Sequence, residues 1–227
     1  MFQTFGNIFC KLMASHVQLH ASETCPECGS QLARDAEGWG ERPREPFGES
    51  KDGSPGVSPH HPAAWHCPNP DCPPQVLKRV VLWASPEAMD IAGCDAAVVA
   101  QLVQRGLVHD AAEFYRLKVK EIEALPGMSK ESAQKFFDGI TASLKRDAWR
   151  VLFGLGIPNI GATEALTLCK HFASLEDLFA MGRERLVKLD GVTEVMACSV
   201  THWIGDSVNR KLVKRLEKAG VNFKTKL

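Results

Sequence analysis

The sequence has little tyrosine, no surplus of charge and no long apolar run. One Tyr stands against 11 Phe in 227 residues. With Ala, Leu and Val abundant, that composition leans towards helix and away from a large β-sandwich. No stretch approaches 18 uninterrupted apolar residues, which argues against a membrane-spanning helix. The start, residues 1–20, lacks the basic n-region and small-residue cleavage site of a secretory signal. The chain therefore reads as a soluble, cytoplasmic protein with no membrane partner. Lys+Arg and Asp+Glu are equal at 27 each, so this is no histone-like basic protein. The balance hides an asymmetry: residues 1–75 carry net −4, residues 76–205 net −1, and residues 206–227 net +5.

The eight cysteines are of two kinds. Cys10, Cys94, Cys169 and Cys198 are scattered singly and read as small core residues. Cys25-Pro-Glu-Cys28-Gly29 and Cys67-Pro-Asn-Pro-Asp-Cys72 are close pairs. In the first, two thiolates two residues apart can converge on one ion, and Gly29 lets backbone amides approach the sulfur. Four thiolates on two turns suit tetrahedral zinc in a closed, structural site. A disulfide pair and a redox Cys-x-x-Cys are the competing readings, although the redox motif calls for a βαβ unit that the pattern does not offer. His60, His61 and His66 are further donors that four cysteines make unnecessary. Between the pairs, ten of the 25 positions from 38 to 62 are Gly or Pro, which predicts a mobile loop. Its length adds little closure entropy.

Residues 86–227 contain a repeat. Ile91-Ala-Gly93-Cys-Asp95, Leu125-Pro-Gly127-Met-Ser129, Ile157-Pro-Asn-Ile-Gly161 and Leu189-Asp-Gly191-Val-Thr193 each place an apolar residue before a tight turn, and they start 34, 32 and 32 residues apart. Ala133, Ala165 and Ala197 follow the last three turns. Apolar residues then recur, mostly at helical spacing: Val98, Leu102 and Val103; Phe136, Phe137 and Ile140; Leu166 and Leu168; Val200 and Ile204. A constant period of this size marks a repeated supersecondary unit of short helices joined by turns. A helix that begins at an exposed turn presents free N–H groups and the positive end of its dipole, which is a seat for phosphate. Several seats on one frame would hold a nucleic-acid backbone without reading bases. A helical repeat for protein contacts is the other reading.

A cysteine finger followed by four such turns resembles the later part of bacterial NAD-dependent DNA ligase. The likeness rests on Cys25-Pro-Glu-Cys28-Gly29-Ser30 and Cys67-Pro-Asn-Pro-Asp-Cys72-Pro, on Ala88-Met89-Asp90-Ile91, on Leu152-Phe-Gly-Leu-Gly-Ile157, and on Leu216 through Ala219-Gly220-Val221. It implies a mainly α fold: a small four-cysteine zinc finger followed by a tandem helix-hairpin-helix domain of four hairpins. Residues 1–24 stay unassigned, residues 25–75 form the finger with the 38–62 insertion, and residues 76–227 form the helical domain. The implied partner is double-stranded DNA, nicked or intact, held by backbone amides around Gly93, Gly127, Gly161 and Gly191. Lys130 and Lys135 after the second turn, and Lys78 and Arg79 before the first, are placed to neutralise phosphates. The basic run after Asp206 reads either as a DNA contact or as a solvated face.

The sequence departs from the family at the second turn glycine, replaced by Asp95, Ser129 and Thr193, and at the first glycine of the third turn, replaced by Asn159. Asp95 would repel phosphate, which makes the first turn architectural. The family's adenylation chemistry uses a lysine in a Lys-x-Asp-Gly motif within a nucleotide-binding pocket. The string Lys188-Leu-Asp-Gly191 occurs here, but in register with the fourth turn, and reads as coincidence. No adenylation or OB-fold segment is expected within residues 1–24. NAD would act only through a catalytic domain that this sequence does not contain, and joining would need a separate adenylating polypeptide. A protein-interaction scaffold and a subunit of a split ligase are the alternatives.

Overall fold

The structure is a computed structural model that describes residues 24–34 and 65–225. The expectations for residues 1–23, the 38–62 loop, Cys10, His60 and His61 lie outside those residues. The chain divides into two compact units, Met1–Pro70 and Asp71–Leu227, with the division inside the Cys67–Cys72 loop.

In the first unit, β1 (Ala33–Arg34) pairs antiparallel with β2 (Trp65–His66), placing Ala33 opposite His66. An antiparallel bridge joins Thr24 to Gln31. Between them the Cys25 knuckle is closed by two backbone bonds, Cys25 N–H to Ser30 (2.7 Å) and Gly29 N–H to Cys25 (2.9 Å). Gly29 has φ +71°, a conformation that residues with a Cβ rarely adopt.

The second unit is helical. Helix α1 (Pro73–Ala84) opens on prolines, whose fixed φ suits a first turn, and buries Val76, Val80, Trp83 and Ala84 along one stripe. Then come α2 (Ala96–Gln104), a short 3₁₀ helix (Ala111–Arg116), α3 (Val119–Glu123) and α4 (Lys130–Ser143). They are followed by α5 (Ala148–Gly154), α6 (Ala162–Cys169), α7 (Leu175–Ala180), α8 (Arg183–Leu186), α9 (Glu194–Gly205) and α10 (Ser207–Lys218). The core runs the length of this unit, with Trp83, Phe114, Phe136, Leu152, Leu168, Leu178, Leu186 and Leu216 fully buried. Among the described residues no helix is long and apolar enough to cross a membrane.

The periodic turns become four corners that launch α2, α4, α6 and α9. Each has one residue in the left-handed region: Gly93 (φ +78°), Gly127 (+77°), Asn159 (+60°) and Gly191 (+72°). Asn tolerates that region better than other residues with a Cβ, so the third corner keeps its shape without glycine. Ile91, Leu125 and Ile157 are buried before their corners, and Val99, Ala133, Ala165 and Ala197 are fully buried on the first turn after them. The first three corners are thus pinned from both sides while their tips face outward; before the fourth, Leu189 is half-buried. One expectation fails here: Leu166 is 41% exposed, because α6 turns Ala165, Leu168 and Cys169 inward instead.

The corners dock in pairs. Beside the first, Gly139 of α4 lies so near Ala92 that a Cβ on it would sit 2.7 Å from the Ala92 carbonyl oxygen. Arg105, ending α2, donates to the Ala124 carbonyl just before the second corner (2.9 Å). The third and fourth corners are reciprocal. Asn159 Nδ2 donates to Ser199 Oγ of α9 (3.1 Å), while Gly191 lies against Thr167 of α6, and His171 Nε2 donates to the Asp190 carbonyl (2.8 Å). Ser199 and Thr167 occupy the same place, six residues past the cap of their own helices. Two arginines tie the halves of this unit together. Arg146 reaches the Asp90 carboxylate (2.5 Å), and Arg150 donates to the carbonyls of Pro86 (2.8 Å) and Ala88 (2.9 Å).

Candidate functional site

Cys25, Cys28, Cys67 and Cys72 converge, with their Sγ atoms all within 4.8 Å of one another. The Cys28 and Cys67 sulfurs are 3.4 Å apart, far beyond a disulfide bond of about 2.05 Å. None of the described cysteines is in a disulfide. A tetrahedral ion with metal–sulfur bonds near 2.3 Å separates its sulfurs by about 3.8 Å, so the cluster has the size and donor chemistry of a single-metal site. Cys25 and Cys72 are buried, while Cys28 and Cys67 are half-exposed. His66 is exposed.

The knuckle also prepares a thiolate. The Ser30 hydroxyl, 3.3 Å from Cys28 Sγ, and next the Ser30 amide hold the Cys28 pKa down, from 9.0 to about 6. Cys67 and Asn69 act in the same direction, and burial opposes them. A depressed pKa means the stabilising contribution is present above the ordinary thiol value and is lost as pH falls through the depressed one. Metal ligation needs the deprotonated form. Metal retention against a chelator is therefore expected to weaken as pH falls and protons compete for the thiolates. Ser30→Ala should move the release upward in pH. Equal retention at about pH 4.5 would contradict this account.

At the corners, the residues that replace glycine have a specific job. Asp95 Oδ1 accepts from Val98 N–H (2.8 Å), Ser129 Oγ from Ser132 N–H (3.1 Å), and Thr193 Oγ1 from Met196 N–H (3.2 Å). They are N-caps, and each satisfies one first-turn amide. At the third corner Gly161 has no side chain to do this, and Glu164 reaches back to accept from the Gly161 amide (3.0 Å). The amides of the residues opening each helix, such as Lys130 and Glu131, have no intrahelical acceptor.

Gly93, Gly127 and Gly191 are exposed and Gly161 is half-buried. Lys130 is the first residue of α4, at the second corner, and Lys135 lies one turn further on; both are exposed. Lys78 and Arg79 are exposed on α1 and not at a corner. Beside the first corner lies a cleft of about 480 Å³ whose lining includes Asp90, Gly93, Cys94 and Asp95. Its two carboxylates make it a poor phosphate seat. Lys188, of the Lys-x-Asp-Gly string, is exposed just after α8 and leads into the fourth corner. Sequence reasoning missed the caps, the docking role of Gly139 and the Arg146–Arg150 tie. A glycine in mid-helix and cap-forming residue types before each helix were the available signals.

Residues 150–213 match the family model for the helix-hairpin-helix motif, a span that holds the third and fourth corners. Over 201 residues the chain is 35% identical to a DNA ligase of Rubrobacter xylanophilus, covering 88% of this chain and 26% of that protein. It is 36% identical over 200 residues to a DNA ligase of Christiangramia forsetii, again 88% of this chain and 26% of that one. To a DNA ligase of Carboxydothermus hydrogenoformans it is 37% identical over 162 residues, 71% of this chain and 24% of the other. The chain thus spans about a quarter of the length of the curated relatives it matches. The chain is thus similar to DNA ligases over about a quarter of their length, and it holds a helix-hairpin-helix motif at residues 150–213 and a four-cysteine cluster compatible with one metal ion.

Proposed function

We propose that the chain is a non-sequence-specific DNA-backbone-binding module of NAD-dependent DNA ligase type, holding double-stranded, nicked DNA for sealing in replication and repair. In this reading residues 25–75 are a finger around one structural zinc, and residues 76–227 grip the duplex. The observation that carries it is the recurrence of outward corners, each opening a helix, in a chain similar to DNA ligases. The amides around Gly127, Gly161 and Gly191 would meet phosphate oxygens, with Lys130 and Lys135 adding charge. The first corner, capped by Asp95 and bordered by Asp90, serves the frame. Adenylation and its NAD would belong to the part of the longer relatives that this chain does not span. The residues proposed here position DNA and carry no bond-making step.

Fluorescence anisotropy with nicked, intact and single-stranded DNA over a salt series tests the reading. Binding should be weak, tighter for duplex than for single strand, and steeply salt-dependent. Lys130→Gln with Lys135→Gln should weaken it about equally for all sequences. No binding at about 50 mM salt ends the proposal.

A further inference from the structure

The net charges pose a problem for any polyanion partner. Residues 76–205 total −1, so the corners supply hydrogen-bond donors without net attraction. The positive excess lies in residues 206–227, and most of it is on α10. The arginines of α10 serve the fold. Arg210 donates to the carbonyls of Ile204 and Gly205 at the end of α9, and Arg215 pairs with Asp110. The lysines do not: Lys211, Lys214 and Lys218 are exposed, and among the described residues none forms an ion pair. They recur at steps of three and four, so they share one face of the helix. That face lies away from the buried Val213 and Leu216. The three span about 10 Å along the axis, room for more than one phosphate. Glu217, one residue before Lys218, is the one carboxylate within α10.

Helix α10 starts at Ser207, at the end of α9 far from the fourth corner. The intervening 12 residues make about 18 Å of helix. We propose that Lys211, Lys214 and Lys218 form a second backbone-contacting surface that supplies the electrostatic attraction the corners lack, its occupant being the phosphates of the bound duplex. This rests on the DNA-binding reading above.

The test is the salt dependence of binding to a nicked duplex, measured with the 227-residue chain. Triple replacement of Lys211, Lys214 and Lys218 by Gln should lower the steepness of log affinity against log salt by about 2 to 3 and weaken binding at least about tenfold near 100 mM salt. A control with Arg116→Gln, Lys118→Gln and Lys120→Gln removes the same charge from another exposed stretch and should leave the steepness near that of the parent. All these side chains are exposed, so circular dichroism should show both variants folded. If the parent binds and the α10 variant keeps its slope, the proposal is overturned while the binding reading stands, and an acidic protein becomes the remaining partner for this face. Equal losses in both variants mean bulk charge and also overturn it. If the parent itself does not bind, the functional reading fails first and takes this surface with it.

Discussion

Cys72→Ser should abolish metal binding by the thiol cluster and leave the helices standing. Cys72 is 2% exposed within the thiol cluster, and its sulfur is one of four donors. It is also the N-cap of α1: its carbonyl accepts from the amides of Gln75 (2.9 Å) and Val76 (3.0 Å), and its side chain makes no cap bond. Serine is among the best N-caps, so the substitution preserves or improves the start of α1 while replacing a soft thiolate with a hydroxyl. Structural zinc sites bind with apparent free energies of about 10–16 kcal/mol, and that binding is coupled to folding. Losing one ligand should therefore reduce metal content after chelator dialysis from about one ion per chain to near zero. The far-UV helical signal should stay close to the parent's, since α1 buries Val76, Val80, Trp83 and Ala84 in a core that includes none of the four clustered cysteines. Cys94→Ser, outside the cluster, should retain the ion. Full metal content in Cys72→Ser would remove the four-thiolate account.

The repeat and the cluster could be read from sequence because each depends on local chemistry. A corner needs a residue tolerant of positive φ, an apolar residue before it and a small or branched apolar residue after it, and these survive as Gly93, Ile91 and Val99 or as Gly127, Leu125 and Ala133. Two close thiol pairs announce themselves in the same way. Other features lay beyond such patterns. Leu166 and Leu168 are two residues apart, so a helix cannot bury both on one face, and here the neighbours select Leu168 and Cys169. Asp95 read as a charge opposing phosphate, and the structure adds that it caps α2. The tie from Arg146 to Asp90 joins residues 56 apart, a separation over which no local pattern operates. The short 3₁₀ helix, α7 and α8 connect the corners and carry no periodic signature of their own.

Gly139→Val should be the most damaging substitution in the helical unit for its size. Glycine inside a helix costs about 1 kcal/mol relative to alanine, so its place in the middle of α4 needs a compensating reason. The first corner is that reason: an added Cβ would lie 2.7 Å from the Ala92 carbonyl oxygen and 2.8 Å from its amide nitrogen. Those are backbone atoms, and they belong to the segment that sets Gly93 at φ +78° beside Phe136. No rotamer change clears them, so α4 and the first corner must separate. Ile91 and Phe136, 4% and 0% exposed, would lose packing together. Overpacking of this kind costs about 3 kcal/mol, the upper part of the usual range, because the obstruction is main chain. Gly127→Ala is the contrasting case: φ is +77°, but a Cβ there meets nothing within 4 Å. Its cost is the left-handed strain alone, about 1 kcal/mol. Urea unfolding followed by circular dichroism should rank the two in that order. A midpoint for Gly139→Val at or above that of Gly127→Ala would mean that the first corner and α4 do not dock as described, and the paired arrangement of the corners would have to be redrawn.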